Sequence, residues 1–418
     1  MTWCLVGSEM CIRDRKNVVI IGAGQSAIQC ITSLKKEGYD GSITLIGEEN
    51  HLPYQRPPLS KAFLDNTIEK ERLYFKKIDF FVENKVLLKL GTKAIKVDID
   101  TKKVDLSDGT TISFDKLVFA TGSRIRKLDF PGKDLNSVHY LRGLDDAEKI
   151  KSNLEVSKNL VIVGAGYIGL EVAAIATKKG IAVTVVEMAD RVMNRTVDPQ
   201  ISDYYQKLHE NNGVSFKFNA SLEEIRGDDK PDLVLCSDGT EIKADTVIIG
   251  AGIVPNVEIA EKSGITCNNG ICVDEFGRTD VEDIFACGDC TNHPNKLLNK
   301  SLRLESVHNA MEQSKTVAAS LSNNPNEYNQ IPWFWSDQYD HKLQIVGLSG
   351  EHDRVTMRGK MEDSQFMLFY TLNSELIAVD SVNNSKEFLI CRKLVANKVR
   401  IEPEMIADPS FNLNDLIA

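Results

Sequence analysis

The chain has no run of the roughly 18–20 uninterrupted apolar residues that a membrane-spanning helix needs. Its nearest approach, Leu160–Ala176, is broken by glycines and carries Glu171. Positive charge is also in deficit: 50 Lys and Arg face 60 Asp and Glu, a net charge of −10. A general nucleic-acid binder needs a basic field to meet phosphates, so that class is not expected. Cysteine is sparse, with nine residues and only Cys287 and Cys290 close together. Such scatter excludes a disulfide framework and implies reduced thiols in the cytoplasm. The seven histidines show no H-x-x-x-H spacing and no second C-x-x-C joins the first, so no metal site is expected. What remains is a soluble chain of 418 residues with ordinary apolar and charged fractions, long enough for two or three domains.

An internal repeat supplies the architecture. Asn17-Val-Val-Ile-Ile-Gly-Ala-Gly24 returns as Asn159-Leu-Val-Ile-Val-Gly-Ala-Gly166. Ile43-Thr-Leu-Ile-Gly-Glu48 is echoed by Val183-Thr-Val-Val-Glu187. Ser107-Asp-Gly-Thr110 and Asp115-Lys-Leu-Val-Phe-Ala-Thr-Gly122 recur as Ser237-Asp-Gly-Thr240 and Asp245-Thr-Val-Ile-Ile-Gly-Ala-Gly252. Each copy reads as a strand, a glycine turn, a helix, a strand ending in a carboxylate, a hairpin turned at Asp-Gly and a closing strand. The runs Val18–Ile21 and Leu160–Val163 lack alternation, as parallel strands buried on both faces do. Behind each, Gly-x-Gly brings bare backbone to a helix N-terminus, where free N–H groups and the helix dipole favour a pyrophosphate. Two such units imply two nucleotides.

The first motif, Gly22-x-Gly24-x-x-Ala27, resembles the FAD site of the pyridine-nucleotide–disulfide oxidoreductase superfamily. Phe119-Ala-Thr-Gly122 is similar to its crossover segment, and Ile284-Phe-Ala-Cys-Gly-Asp289 to its second FAD signature. Further strings narrow the likeness to the NADH-dependent ferredoxin and rubredoxin reductases of the putidaredoxin-reductase-like family. These are His51–Lys61, Tyr140-Leu-Arg142, Gly166–Glu171, Glu305-Ser-Val307 and Pro332-Trp-Phe-Trp-Ser-Asp-Gln-Tyr339. The resemblance implies an α/β fold with two Rossmann-like, glutathione-reductase-like domains for FAD and NAD and an α+β C-terminal domain. FAD signatures lie on both sides of the second glycine motif, which places the FAD domain at 16–118 and 251–327, the NAD domain at 119–250 and a C-terminal reductase domain at 328–418.

The same likeness implies FAD contacts from Ser26, Glu48, Lys61, Ala94, Arg142, Asp289 and Val307, with Gly22, Gly24, Ala27, Arg56, Thr121 and Gly122 completing the set. NADH falls to Gly164, Gly166, Tyr167, Ile168, Gly169, Glu187 and Gly252. Glu48 and Glu187 end strands, where a carboxylate can bond ribose hydroxyls. Lys61, expected near the flavin, and Glu171, able to pair with it, are the catalytic candidates together with Trp335. Arg191 lies close enough to Glu187 to accept a 2′-phosphate instead.

The C-x-x-x-x-C of disulfide reductases is missing, leaving Cys30 alone in the first helix. Cys287 and Cys290 overlie the second FAD signature, so they are read as structural, as are Asp337 and His341. His308 opens a helix over Asn309–Leu321 and is read as a surface residue. Electrons are therefore expected to leave FAD for a small [2Fe-2S] ferredoxin or a rubredoxin serving an oxygenase or haem monooxygenase. Trp333 and Trp335 should share one face of an extended segment and Phe334 the other. Lys300, Arg303 and Lys315 are the expected basic rim for an acidic partner. Alternatives are a redox-sensing flavoprotein like apoptosis-inducing factor and an NADH oxidase. A monomer or weak dimer is expected.

Met1–Arg15 match neither periodicity nor a secretion signal, and Val6–Asp14 resembles translated adapter sequence, so the segment is expected to be non-native or disordered. A chain starting at Lys16 should keep its flavin content, read as the ratio of flavin to protein absorbance. Loss of flavin would show that these residues belong to the fold.

Overall fold

The computed structural model describes residues 16–417, so the expectation for Met1–Arg15 lies outside the described residues. The repeat is realised as two five-stranded parallel sheets in which four strands follow the same order and one edge strand does not. In the first, Val18–Ile21 is central, flanked by Ile43–Ile46 and Lys116–Phe119, with Val86–Lys89 and Ile284–Ala286 at the edges. In the second, Asn159–Val163 is central, flanked by Ala182–Val186 and Thr246–Ile249, with Val214–Lys217 and Val138–Tyr140 outermost. Both central strands are buried on both faces, under helices on one side and a three-stranded antiparallel layer on the other, which is why neither alternates.

Each unit also carries a three-stranded antiparallel hairpin layer, Ala94–Ser113 in one and Leu222–Lys243 in the other, turned at Asp108-Gly109 and Asp238-Gly239. One asymmetry orders the chain. The first sheet is completed by Ile284–Ala286, a strand that arrives only after the whole second sheet has been built. The outward and return segments, Ser123–Ile125 and Ile253–Pro255, pair with each other as an antiparallel ribbon.

After the long helix Val307–Leu321, which packs on the first glycine-turn helix Gln25–Lys36, the chain forms a five-stranded antiparallel sheet. Its order is Trp333–Gln338, His341–Gly347, Glu375–Val382, Gln365–Leu372 and Arg354–Lys360. One face holds the helix Ser385–Ala396, whose Phe388 and Leu394 pack over Phe369 and Val379. The other presents Leu343, Phe366 and Tyr370 to Ile201 and Tyr205 of the helix Pro199–Asn211. Leu59 and Phe63, from the loop after the first unit's second strand, join that same core. Three units thus share one apolar junction, and the cleft lies beside it.

Arg358 ties down the C-terminal end. Its buried guanidinium reaches both Glu387 oxygens, the closest at 2.6 Å, and the carbonyls of Asp408 at 2.5 Å, Phe411 at 2.9 Å and Pro409 at 3.1 Å. Arg358→Met would leave that carboxylate and those carbonyls without their donor, at a cost of about 3–5 kcal/mol. The expected outcome is a lower Tm and faster proteolysis between Pro403 and Ile417, checked by thermal melting and limited digestion.

Candidate active site

Two glycine turns open side by side into one cleft of about 2650 Å³. A single drug-sized ligand needs roughly 300–1,000 Å³, so the cleft has room for two extended nucleotides. Gly22 (φ +110°) passes so close to the closing strand that a Cβ would stand 2.1 Å from the Ala120 carbonyl oxygen. Gly164 (φ +104°) repeats the approach, 2.5 Å from the Gly250 oxygen. At Gly24 and Gly166 an added Cβ meets nothing within 4 Å and would only fill the cradle. Each of these glycines caps a twelve-residue helix with no side-chain cap and no acidic residue in its first turn. The N–H groups are left for an anion. Ile168 and Met188 stand exposed on the wall of the second cradle, apolar surface that a bound nucleotide would cover. These residues fit FAD and NADH.

Every residue expected at the site lines this cleft except Ala27. Ala27 is fully buried with Val18, Ile20 and Ile28, where its small side chain serves helix–sheet contact behind the cleft lining. Glu48 is exposed, 3.3 Å from Lys93. Glu187 is held more firmly: its oxygens accept the backbone N–H groups of Ala165 at 2.7 Å and Ala189 at 2.9 Å. Arg191 lines the cleft with its donors already engaged. It donates to the Val197 carbonyl at 2.9 Å, the Asn194 carbonyl at 3.0 Å and the Ser202 hydroxyl at 2.5 Å.

Asp289 sits on the cleft floor, accepting from Ser123 Oγ at 2.9 Å with Arg142 at 3.7 Å. Burial raises its carboxyl above the ordinary range while Arg142 pulls it down. Arg142 also donates to the Ser123 carbonyl at 2.8 Å, and Arg56 donates to the Arg142 carbonyl at 2.8 Å and pairs with Glu49. Burial lowers the Arg142 guanidinium, and Arg56 beside it adds to the effect.

Where the three units meet, Glu171 lies only 3% exposed. Its Oε1 is 2.7 Å from Lys61 Nζ and accepts from Ser336 Oγ at 2.6 Å, while Oε2 accepts from Ser60 Oγ at 2.5 Å. Glu171 is on the helix Tyr167–Lys178, Ser60 and Lys61 end the turn Pro57–Ser60, and Ser336 is on the strand Trp333–Gln338. Ser60, Ser123, Ser336, Tyr54 and Glu49 were missed at the level of sequence. Ser60, Tyr54 and Ser336 lie inside the recognised strings, but only the fold shows what their hydroxyls reach.

Trp335 lines the cleft, its ring 5.5 Å from that of Trp333, while Phe334 turns to Tyr167 at 4.6 Å. The alternation expected of an extended segment is present. Two expectations fail. His308 is buried, with its ring 5.7 Å from Trp333, and burial lowers it to about 4, so it is a neutral packing group rather than a surface residue. The basic rim is neutralised: Lys300 pairs with Glu351 at 3.2 Å, Lys315 with Glu312 at 2.6 Å, and Arg303 with Glu305. Asp337 and His341 pair with Lys342 and Asp340 and do not line the cleft. Cys287 and Cys290 are buried free thiols raised by desolvation, and Cys290 donates to the Cys287 carbonyl at 3.4 Å. Nothing there makes a thiolate.

Comparison with known proteins agrees with this geometry. Residues 16–314 match the pyridine nucleotide-disulphide oxidoreductase family model, and residues 333–417 match the reductase C-terminal model. Rhodocoxin reductase of Rhodococcus erythropolis is 41% identical over 96% of this chain and 94% of its own. The ferredoxin reductase for the CYP199A2 system of Rhodopseudomonas palustris superposes with a TM-score of 0.94 at 40% identity, covering 96% of this chain and all of that one. The reductase in the covalent putidaredoxin reductase–putidaredoxin complex superposes at 0.93 with 37% identity, over 96% of this chain and 98% of that one.

The fixed Glu187 and the occupied Arg191 favour NADH over NADPH. A lost charge-assisted hydrogen bond plus repulsion of a 2′-phosphate should cost about 2–3 kcal/mol, or roughly 30–150-fold. Steady-state kcat/KM for the two nucleotides checks this, and equal values would sink the assignment.

Proposed function

The chain belongs to the pyridine nucleotide-disulphide oxidoreductase family, and from that premise we propose that it is an FAD-dependent NADH:ferredoxin reductase. It takes hydride from NADH onto FAD and delivers electrons singly to a small iron–sulfur protein serving an oxygenase. The observation that carries this reading is the Lys61–Glu171 pair, set with Trp335 at the junction of the two cradles. When bound, FAD supplies the conversion of a two-electron donor's hydride into single electrons.

The chain's own part is binding, charge and exclusion of water. Gly24 and Gly166 admit the two pyrophosphates to helix N-termini. Glu48 and Glu187 hold the ribose hydroxyls. Lys61 places positive charge where hydride delivery builds negative charge, and Glu171 keeps that ammonium in place. Asp289 accepts from the ribityl chain, with Arg142 beside it. The aromatic face of Trp335 and Trp333 is the acceptor side.

A dithiol is not the electron exit. Cys30 is alone in its helix and buried, and burial pushes its thiol up to about 12. The relatives named above are ferredoxin-type reductases, which leaves the redox-sensor and NADH-oxidase readings unfavoured. A cytoplasmic setting accords with free thiols at all seven described cysteines. Among the described residues no helix is long and apolar enough to cross a membrane.

Trp335→Ala separates the two halves of the reaction. Loss of an aromatic anchor at a docking face should slow ferredoxin-linked reoxidation roughly tenfold or more. NADH-driven ferricyanide reduction should stay near wild type. Stopped-flow measurement of each half-reaction decides: equal losses in both would mean Trp335 only holds the domain together.

A further inference from the structure

Behind Glu171 runs a row of polar side chains that the chemistry above does not use. Ser336 and Gln338 are neighbours on one face of the strand Trp333–Gln338, and both are fully buried, as is His209 on the helix Pro199–Asn211. Gln338 Nε2 is 3.2 Å from Ser336 Oγ and 3.8 Å from Met193 Sδ, both of which can accept a hydrogen. Its Oε1 therefore faces His209 Nε2, 2.9 Å away, and the histidine carries its proton on that nitrogen. Burial lowers His209 to about 4, so the ring is neutral and its Nδ1 is free to accept. The Tyr339 hydroxyl stands 3.4 Å from that Nδ1 and 3.1 Å from Thr177 Oγ1.

The hydrogens then point one way, from His209 to Gln338, to Ser336, and onto Glu171 Oε1 at 2.6 Å. Apolar side chains of similar size would hold the two units together at least as well as such a row. A polar chain with one sense has a different consequence: it sets which lone pair of Glu171 is engaged. Oε1 is the atom that Lys61 also uses, at 2.7 Å.

We infer that Ser336 and Gln338 are positioning residues for the reaction, holding the Glu171 carboxylate turned so that Lys61 keeps its charge toward the flavin. This deepens the reading under Proposed function and rests on it. The C-terminal sheet thereby contributes to hydride acceptance as well as to docking the partner. With the Ser336 hydroxyl gone, Oε1 belongs to Lys61 alone. The carboxylate turns onto the ammonium, and less positive field reaches the flavin.

The test uses the full-length holoenzyme as wild type, Ser336→Ala, Ser336→Thr, Gln338→Met and the double variant S336A/Q338M. Spectroelectrochemistry gives the midpoint potential of the bound flavin, stopped flow gives its reduction by NADH, and thermal melting reports the fold. Ser336→Ala is expected to move the potential to more negative values and to slow flavin reduction about five- to tenfold, with melting unchanged. Ser336→Thr, which keeps the hydroxyl, should restore both. Gln338→Met should act in the same direction, and the double variant should be no worse than Ser336→Ala, because both act through one hydrogen bond. Should Gln338→Met fail to fold, the alanine and threonine pair at Ser336 still decides. Wild-type potential and rate in Ser336→Ala, equal impairment in alanine and threonine, or additive losses in the double variant would overturn the inference. Wild-type flavin that NADH does not reduce would instead overturn the functional reading beneath it.

Discussion

A carboxylate taken out of water must be met by donors on every side, and Glu171 is met by three from two other parts of the chain. Burying an ion pair gains little by itself, because desolvation offsets the attraction, but leaving one partner unmatched is heavily penalised. That asymmetry makes Glu171 a constraint on assembly. Ser60 and Lys61 arrive with the first unit, Glu171 with the second and Ser336 with the C-terminal sheet. Any arrangement that displaces one of the three leaves a buried charge short of donors. The apolar junction of Leu59, Phe63, Tyr205, Phe366 and Tyr370 supplies the adhesion. The carboxylate selects one geometry among those that adhesion would tolerate.

The same logic explains why a duplicated unit can serve two cofactors. Each copy builds an identical cradle from a close approach at Gly22 or Gly164 and an open Cα at Gly24 or Gly166. What differs is the far end of the second strand. Glu48 is exposed and shares its charge with Lys93, whereas Glu187 is clamped by two backbone N–H groups. A clamped carboxylate discriminates more sharply than a mobile one, since it cannot swing away from an added phosphate. Choice between nucleotides matters for the diffusible one and hardly at all for a cofactor that stays bound, and the rigid carboxylate is in the cradle proposed for NADH.

Much of this was legible before any coordinates. The repeat Asn17–Gly24 and Asn159–Gly166 predicted two parallel sheets, because unalternating apolar runs ending in Gly-x-Gly have few other uses, and four strands of each sheet follow one order. The pairing of Lys61 with Glu171 was also accessible, as a cation and a carboxylate in two recognised strings. What sequence could not show was the environment of single polar groups. His308 read as a surface residue at the start of a helix, yet it is buried against Trp333 of the C-terminal sheet. Ser60 and Ser336 are 276 positions apart in numbering, and no periodicity relates them. Ala27 was read as part of the first glycine motif, and its packing against the sheet became visible only in the fold.

The rim shows most clearly how charge counting misleads. Lys300, Arg303 and Lys315 form a cationic cluster on paper, but each has a glutamate of its own within ion-pair distance. Exposed pairs of this kind are worth little in stability, but they cancel field, and field is what steers a charged partner over distances beyond contact. The face around Trp335 therefore offers an acidic partner little long-range pull, and the whole molecule, at a net charge of −10, opposes it. Productive encounter must then draw on short-range terms: aromatic area from Trp333 and Trp335, and lysines that can exchange an internal carboxylate for one across the interface. Such exchange costs less than creating a new pair from solvated ions, because Glu312 and Glu351 give up a lysine only as the incoming acidic group takes it. An interface built this way releases its partner readily once electrons have passed, which suits a reductase that must meet a fresh acceptor for every electron it delivers.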